Sequence, residues 1–63
     1  MNIEKAQRLQ VGDTVHYPED RGTKAGSGKI SHIGQTVNTS YQGNKYIWVS
    51  IQGGGVWPSN RLS

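Results

Sequence analysis

The sequence predicts a small all-β protein, a barrel of four to five antiparallel strands preceded by a short helical turn. Nine glycines in 63 residues and the shortage of long amphipathic runs argue against a helical protein. Apolar and polar residues alternate at Thr14–Tyr17 and at Tyr46–Ile51, which is typical of half-buried strands. Because few residues are available for a core, the strands must cover one another, and a sheet that closes on itself does so.

The first ten residues predict a short helical segment, residues 1–10, ahead of a barrel that spans residues 11–63. Asn2 is a suitable N-cap, and Glu4 carries negative charge in the first turn, where the helix dipole favours it. Three apolar residues fall near one face of this helix: Ile3, Ala6 and Leu9. A helix of one or two turns depends on tertiary packing, so we expect this face to lie on the barrel.

The first half of the barrel segment contains two predicted strands. Thr14–Tyr17 forms the first, and Pro18 ends it because proline cannot donate a ladder hydrogen bond. Residues 19–28 predict a charged, glycine-containing loop. Residues 29–37 predict the second strand, with a bulge at Gly34.

The second half predicts two more strands joined by tight turns. A Gly43-Asn44 pair between tyrosines indicates a hairpin, and three glycines at residues 53–55 indicate another turn. In the strand between them, the pattern places one set of residues on the core face (Ile47, Val49, Ile51) and another outward (Tyr46, Trp48, Ser50). A last short strand at residues 56–57 stops at Pro58, a helical turn follows, and Leu62 returns to the core.

Composition limits the classes of function. Without cysteine the chain has no disulfide framework and no thiolate zinc site, which fits a reducing, cytoplasmic setting. No secretion signal and no apolar run of bilayer length is evident, so we expect no membrane association. Seven Lys and Arg against four Asp and Glu give a formal net charge of +3. This excess favours an anionic partner, and the alternative is a solvated basic surface with no partner.

The order of elements resembles a known class of small barrels. The residues that carry the resemblance are Gly12-Asp13-Thr14-Val15, Gly28-Lys29-Ile30, Tyr46-Ile47-Trp48-Val49, Val56-Trp57-Pro58 and Leu62. Over residues 9–63 they are similar to SH3-like barrels, which include KOW and Tudor-type modules and the plasmid-borne type of dihydrofolate reductase. That reductase builds its site from a Val-Gln-Ile-Tyr run, where this chain has Gly-Gly-Val-Trp-Pro, so the resemblance does not imply its activity. It does imply that oligomerisation could stabilise such a barrel.

The stretch Gly22–Lys29 is similar to a phosphate-binding loop but lacks its essential parts. Five residues, rather than four, separate Gly22 from Gly28-Lys29, and the next residue is Ile30, which cannot hold magnesium. A strand follows instead of a helix, so no helix N-terminus faces a phosphate. We therefore predict a mobile loop, in which Arg21, Lys24 and Lys29 could contact a phosphate backbone.

No catalytic constellation is evident, and we predict a non-enzymatic protein without a cofactor. His16 and His32 are the only imidazoles, and nothing in their spacing demands a metal, so we expect them on the surface. No serine lies in a nucleophile-elbow context. Glu19 and Asp20 are adjacent on a polar loop, where solvation is the default.

The aromatic residues give the leading functional hypothesis, a nucleic-acid-binding module. Outward rings would stack on bases, and basic side chains would contact phosphates. The stacking residues we predict are Trp48, Tyr46 and Trp57, and the phosphate contacts are Lys24, Lys29, Lys45 and Arg61. The alternative is a protein-interaction or self-assembly module that uses the same aromatic face to bind another protein or to form a homo-oligomer. A further reading is that the helix or the loop covers this face and makes it a second small core.

Overall fold

The computed structural model describes residues 1–63 and is mostly β, as the sequence predicts. The elements in chain order are helix α1 (Ile3–Ala6), strands β1 (Thr14–Tyr17), β2 (Gly26–Ile33), β3 (Asn38–Thr39), β4 (Lys45–Tyr46), β5 (Trp48–Ile51) and β6 (Gly55–Pro58), and a 3₁₀ turn (Ser59–Arg61). Four strands form one antiparallel sheet in the order β1-β2-β5-β6, and this sheet curls strongly into a half-barrel. Strands β3 and β4 form a separate two-stranded hairpin.

Helix α1 has the cap that the sequence predicts. The Asn2 side chain accepts a hydrogen bond from the Lys5 backbone N–H at 2.8 Å. The helix ends after four residues and packs on β4 and the 3₁₀ turn. Ala6 is fully buried there, which supplies the packing that so short a helix requires. No helix in the structure has the length and apolar character needed to cross a membrane.

Strand β2 begins earlier and ends earlier than predicted, at Gly26 and Ile33 instead of residues 29 and 37. A Cβ at Gly26 would lie 2.7 Å from the Tyr17 hydroxyl, and one at Gly28 would lie 2.6 Å from Ile51 Cγ2. These glycines are therefore strand residues that let a ring and a side chain approach the backbone. The prediction of a loop through residue 28 is wrong, because these glycines do not mark a turn. They leave space beside the backbone of a strand for Tyr17 and Ile51.

The bulge in β2 lies at Ser31, nearer the start of the strand than the predicted position at Gly34. The register with β5 shifts between Ile30 and His32, so the extra residue is Ser31, and Gly34 lies beyond the strand. Gly34 instead donates its N–H to the Trp48 carbonyl at 2.7 Å. The bulge turns Ile30 toward the core while His32 remains exposed.

The predicted hairpin is confirmed, but the strand that follows it is interrupted. Strands β3 and β4 pair through Thr39 and Lys45, and the turn between them contains Gly43. The chain then leaves the hairpin at Ile47 and enters the main sheet at Trp48. Ile47 exchanges its backbone hydrogen bonds with Ser59 rather than with a neighbouring strand.

The C-terminal residues return to the first strand. After the 3₁₀ turn, the Ser63 N–H donates to the His16 carbonyl at 2.9 Å, and the His16 N–H donates to the Ser63 carbonyl at 2.8 Å. Leu62 is buried, as predicted. Both ends of the chain are thereby held against the half-barrel, since the Met1 backbone nitrogen donates to the Leu62 carbonyl at 2.7 Å.

The core lies inside the curl of the sheet. It contains Ala6, Val15, Ile30, Ile47, Val49, Ile51, Trp57 and Leu62. The predicted division of the strand between residues 46 and 51 is confirmed, because Ile47, Val49 and Ile51 are buried and Trp48 is exposed. Such alternation leaves the outer face of β5 available to solvent.

Candidate nucleic-acid interface

The outer face of β5 and β6 carries the most exposed tryptophan of the chain. Trp48 is 46% exposed and lies directly opposite Pro58 in the ladder. The ring of Tyr46 meets the ring of Trp48 edge to face, with centroids 5.4 Å apart and planes at 88°. Edge-to-face contact is a preferred geometry for aromatic pairs, so Tyr46 restricts the orientation of Trp48, which remains 46% exposed.

Further side chains extend this surface along the same strands. Residues two apart on a strand share a face, so Ser50 lies on the side of Trp48, and Val56 lies opposite Ser50. Val56 is 61% exposed. On the other neighbour of β5, strand β2, His32 lies opposite Ser50. We call the set Tyr46, Trp48, Val56 and Pro58 the outer aromatic face. The hypothesis that the helix or the loop covers Trp48 and forms a second small core is wrong, because this side chain is exposed.

Trp57 does not face outward, so this expectation is wrong. It is 7% exposed and opposite the buried Val49. Its ring stacks on Tyr17 with centroids 5.5 Å apart and planes at 20°, and its Nε1 donates to the Gly54 carbonyl at 2.7 Å. The strand begins one residue earlier than predicted, and its pairing with β5 sets Trp57 opposite a core residue, on the inner face of the sheet.

Arg61 is held against the half-barrel by Trp57 and Asp20. Its guanidinium carbon lies 5.5 Å from the centroid of the Trp57 ring, and its Nη1 lies 3.5 Å from Asp20 Oδ2. The side chain remains 45% exposed. Arg61 therefore has two intramolecular partners, which a phosphate would have to compete with, although exposed ion pairs of this kind are weak.

The three predicted lysines are exposed but lie apart from one another. Lys45 precedes Tyr46 on β4, next to the outer aromatic face. Lys29 lies at the opposite end of β5 from Trp48, because its carbonyl accepts from the N–H of Gln52 in the β5–β6 turn. Lys24 lies in the loop between β1 and β2. Of the three, only Lys45 is next to the aromatic pair along the chain, and alternation along β4 directs its side chain to the face opposite that of Tyr46.

The distribution of acidic residues provides a signal that sequence reasoning missed. All four carboxylates lie in the first third of the chain, at Glu4, Asp13, Glu19 and Asp20. Residues 21–63, which include β2 to β6, contain none. The outer aromatic face is therefore built from strands that carry only basic and neutral side chains, and a polyanion meets no repulsion from them.

The remaining candidate residues do not converge. His16 on β1 is opposite Ser27, whereas His32 is opposite Ser50, and both are exposed. No three His, Asp or Glu side chains come together as a set of metal ligands. No helix follows the stretch that begins at Gly22. The chain continues into β2 at Gly26, where residues 26–29 pair with β1.

Comparison of the chain with protein-family models, with curated proteins and with solved structures finds no match.

Proposed function

We propose that this protein is a non-enzymatic module of the SH3-like class that binds single-stranded nucleic acid by stacking bases on Trp48. The observation that carries the proposal is a tryptophan exposed on strands without any carboxylate. Aromatic rings bind bases of any sequence because every base has a flat face, and basic side chains nearby hold the backbone.

The geometry favours a single strand over a duplex. Trp48 lies on the convex outside of the curled sheet, where its ring can reach only a base that is already unstacked. The T-shaped contact with Tyr46 restricts the motion of that ring, which reduces the entropy lost on binding. Lys45, one residue before Tyr46, is the nearest predicted phosphate contact along the strand. Lys24, Lys29 and Arg61 would act at longer range on a strand that continues across the barrel.

The SH3-like assignment rests on topology. Four strands follow one another around the curl, a 3₁₀ turn comes after β6, and the chain then returns to the free edge of β1 at His16. The hairpin of β3 and β4 is an insertion between the second and third strands of this arrangement. These features support a KOW-like or Tudor-like barrel, and the class itself defines no ligand.

The test is a titration of the isotope-labelled protein with single- and double-stranded oligonucleotides at low and at moderate salt. We expect shifts at the Trp48 indole and at Lys45 with the single strand, weakened by salt. Trp48→Ala should weaken binding by about 5- to 150-fold, since one stacked base contributes about 1–3 kcal/mol. The matched control is Tyr41→Ala, which removes a fully exposed ring on the β3–β4 turn. Equal affinity of Trp48→Ala and the unmodified protein would exclude the stacking role.

The second candidate is a protein-interaction or self-assembly module that uses the same face. The exposed Val56 and the neighbouring Pro58 favour it, because they add apolar area beside the rings. Binding of this kind depends little on salt, and self-assembly makes the particle mass rise with protein concentration. Sedimentation at two salt concentrations separates the two candidates: a mass that rises equally at both favours self-assembly.

A further inference from the structure

A cavity of about 430 Å³ lies where helix α1, the β3–β4 turn and the 3₁₀ turn meet. Its polar wall comes from Asn2, Asn44, Lys45 and Asn60, and its other wall includes Ile3 and Gly43. The volume falls within the range of small-molecule sites in proteins. No acidic side chain lines it.

The polar wall of the cavity includes two side-chain donors, from Asn2 and Lys45, that have no intramolecular partner. Asn2 uses its Oδ1 to accept from Lys5, so its free group is the Nδ2 donor. Asn60 Oδ1 is buried and has no hydrogen-bond partner, so the wall also holds one unpaired acceptor. Lys45 carries three N–H donors with no intramolecular partner, since the only salt bridge of the chain joins Arg61 to Asp20.

The free donors of Asn2 and Lys45 line the same cavity without a carboxylate beside them, which suits a ligand rich in acceptors. A phosphate group presents only acceptor oxygens together with negative charge, and its hydrogen bonds to Lys and to amides are charge-assisted. The cavity is larger than one phosphate requires, so it leaves room for the group to which the phosphate is bonded. The apolar side chain of Ile3 supplies a surface for that group.

We propose that this cavity binds a phosphate monoester of nucleotide size, either a free mononucleotide or the 5′-phosphate end of a bound strand. The second source rests on the proposed function and follows from position. Lys45 lines the cavity, and the next residue of β4, Tyr46, contacts Trp48, so the cavity and the outer aromatic face lie on the two sides of this short strand. A strand that ends in the cavity would place its following bases toward Trp48.

The test uses the full chain and one variant that alters the cavity but keeps the helix cap. Asn2→Asp preserves the acceptor for the Lys5 N–H, because Asp and Asn are equally good N-caps, yet it removes the Nδ2 donor and adds negative charge. Gln52→Glu adds the same charge in the β5–β6 turn and is the matched control. The probes are inorganic phosphate, adenosine 5′-monophosphate, and one oligonucleotide with and without a 5′-phosphate.

We expect the monophosphate to shift the side-chain amides of Asn2, Asn44 and Asn60, and Asn2→Asp to weaken it about tenfold or more. The phosphorylated oligonucleotide should bind more tightly than its 5′-hydroxyl form, and this advantage should disappear in Asn2→Asp only. Equal weakening by Gln52→Glu, or no shift of these amides with any phosphate, would overturn the proposal. A third outcome separates the two proposals. If Trp48→Ala abolishes oligonucleotide binding but the 5′-phosphate makes no difference to affinity, the proposed function stands and the cavity has no role in it.

Discussion

Ser59 and Ile47 are joined by two reciprocal hydrogen bonds at the point where the chain passes from the hairpin to the main sheet. The Ile47 N–H donates to Ser59 Oγ at 3.0 Å, and the Ser59 N–H donates to the Ile47 carbonyl at 2.9 Å. Both residues are buried. A residue that belongs to no strand thereby has both its backbone groups satisfied, as buried polar groups require.

Ser59→Ala is expected to lower the free energy of unfolding by about 1–3 kcal/mol, because it leaves the Ile47 N–H buried without an acceptor. Urea denaturation followed by circular dichroism measures this. The control is Ser31→Ala, whose hydroxyl is on the surface and whose loss should cost less than about 0.5 kcal/mol. Equal midpoints for the two variants would contradict the role of the Ser59 hydroxyl.

Truncation of the two tryptophans is expected to change the free energy of unfolding by very different amounts. Trp57→Ala removes a buried ring together with its contacts to Tyr17 and Gly54, and should cost about 3–5 kcal/mol, enough to unfold much of so small a domain. Trp48→Ala removes a half-exposed ring and should change stability by about 1 kcal/mol or less. Thermal denaturation tests both. A folded Trp57→Ala with an unchanged midpoint would mean that this ring is not a core residue.

Gly28→Ala is expected to destabilise the sheet. The new methyl would lie 2.6 Å from Ile51 Cγ2 and 3.1 Å from the Gln52 carbonyl oxygen, and a backbone atom cannot move aside cheaply. Overpacking of this kind costs about 1–3 kcal/mol. Ser27→Ala, at the neighbouring exposed position, is the control. If both variants unfold at the same urea concentration, the close approach at Gly28 is not required.

Arg21→Asn is expected to stabilise the protein. Arg21 has φ of 36°, the only positive φ of a residue other than glycine, in a tight turn closed by hydrogen bonds between Asp20 and Thr23. Asparagine tolerates this conformation better than other residues with a side chain, so the gain should be up to about 1 kcal/mol. That corresponds to a rise of about 4–8 °C in the unfolding temperature. Arg21→Gln, which removes the charge but not the strain, should leave the temperature unchanged, and a rise there instead would show that charge is the cause.

The salt dependence of oligonucleotide binding should identify Lys45 as a phosphate contact. Lys45→Gln is expected to reduce the slope of log K against log salt by about 0.7, the value for one phosphate on a single strand. Arg8→Gln removes the same charge from the exposed turn after α1, which is not among the predicted phosphate contacts, and should leave both the affinity and the slope unchanged. An identical slope for Lys45→Gln and the unmodified protein would place Lys45 outside the interface.

The amino-acid sequence by itself determined the local elements whose signals lie close together in the chain. Alternation at residues 14–17 and 48–51 defined strands and their faces, and Asn2 defined the start of the helix. Leu62 was correctly placed in the core, since an apolar residue after a polar turn is costly to expose. These predictions succeeded because side-chain period and capping depend on neighbours within one or two turns.

Only the tertiary structure decided features that depend on distant partners. Gly26 and Gly28 belong to a strand because Tyr17 and Ile51 press against them. Trp57 is buried because Tyr17 stacks on it, and the cavity exists because Asn2, Lys45 and Asn60 meet from three separate elements. The sequence pattern around each of these residues permits either outcome, and the free energy of packing against residues far along the chain selects one.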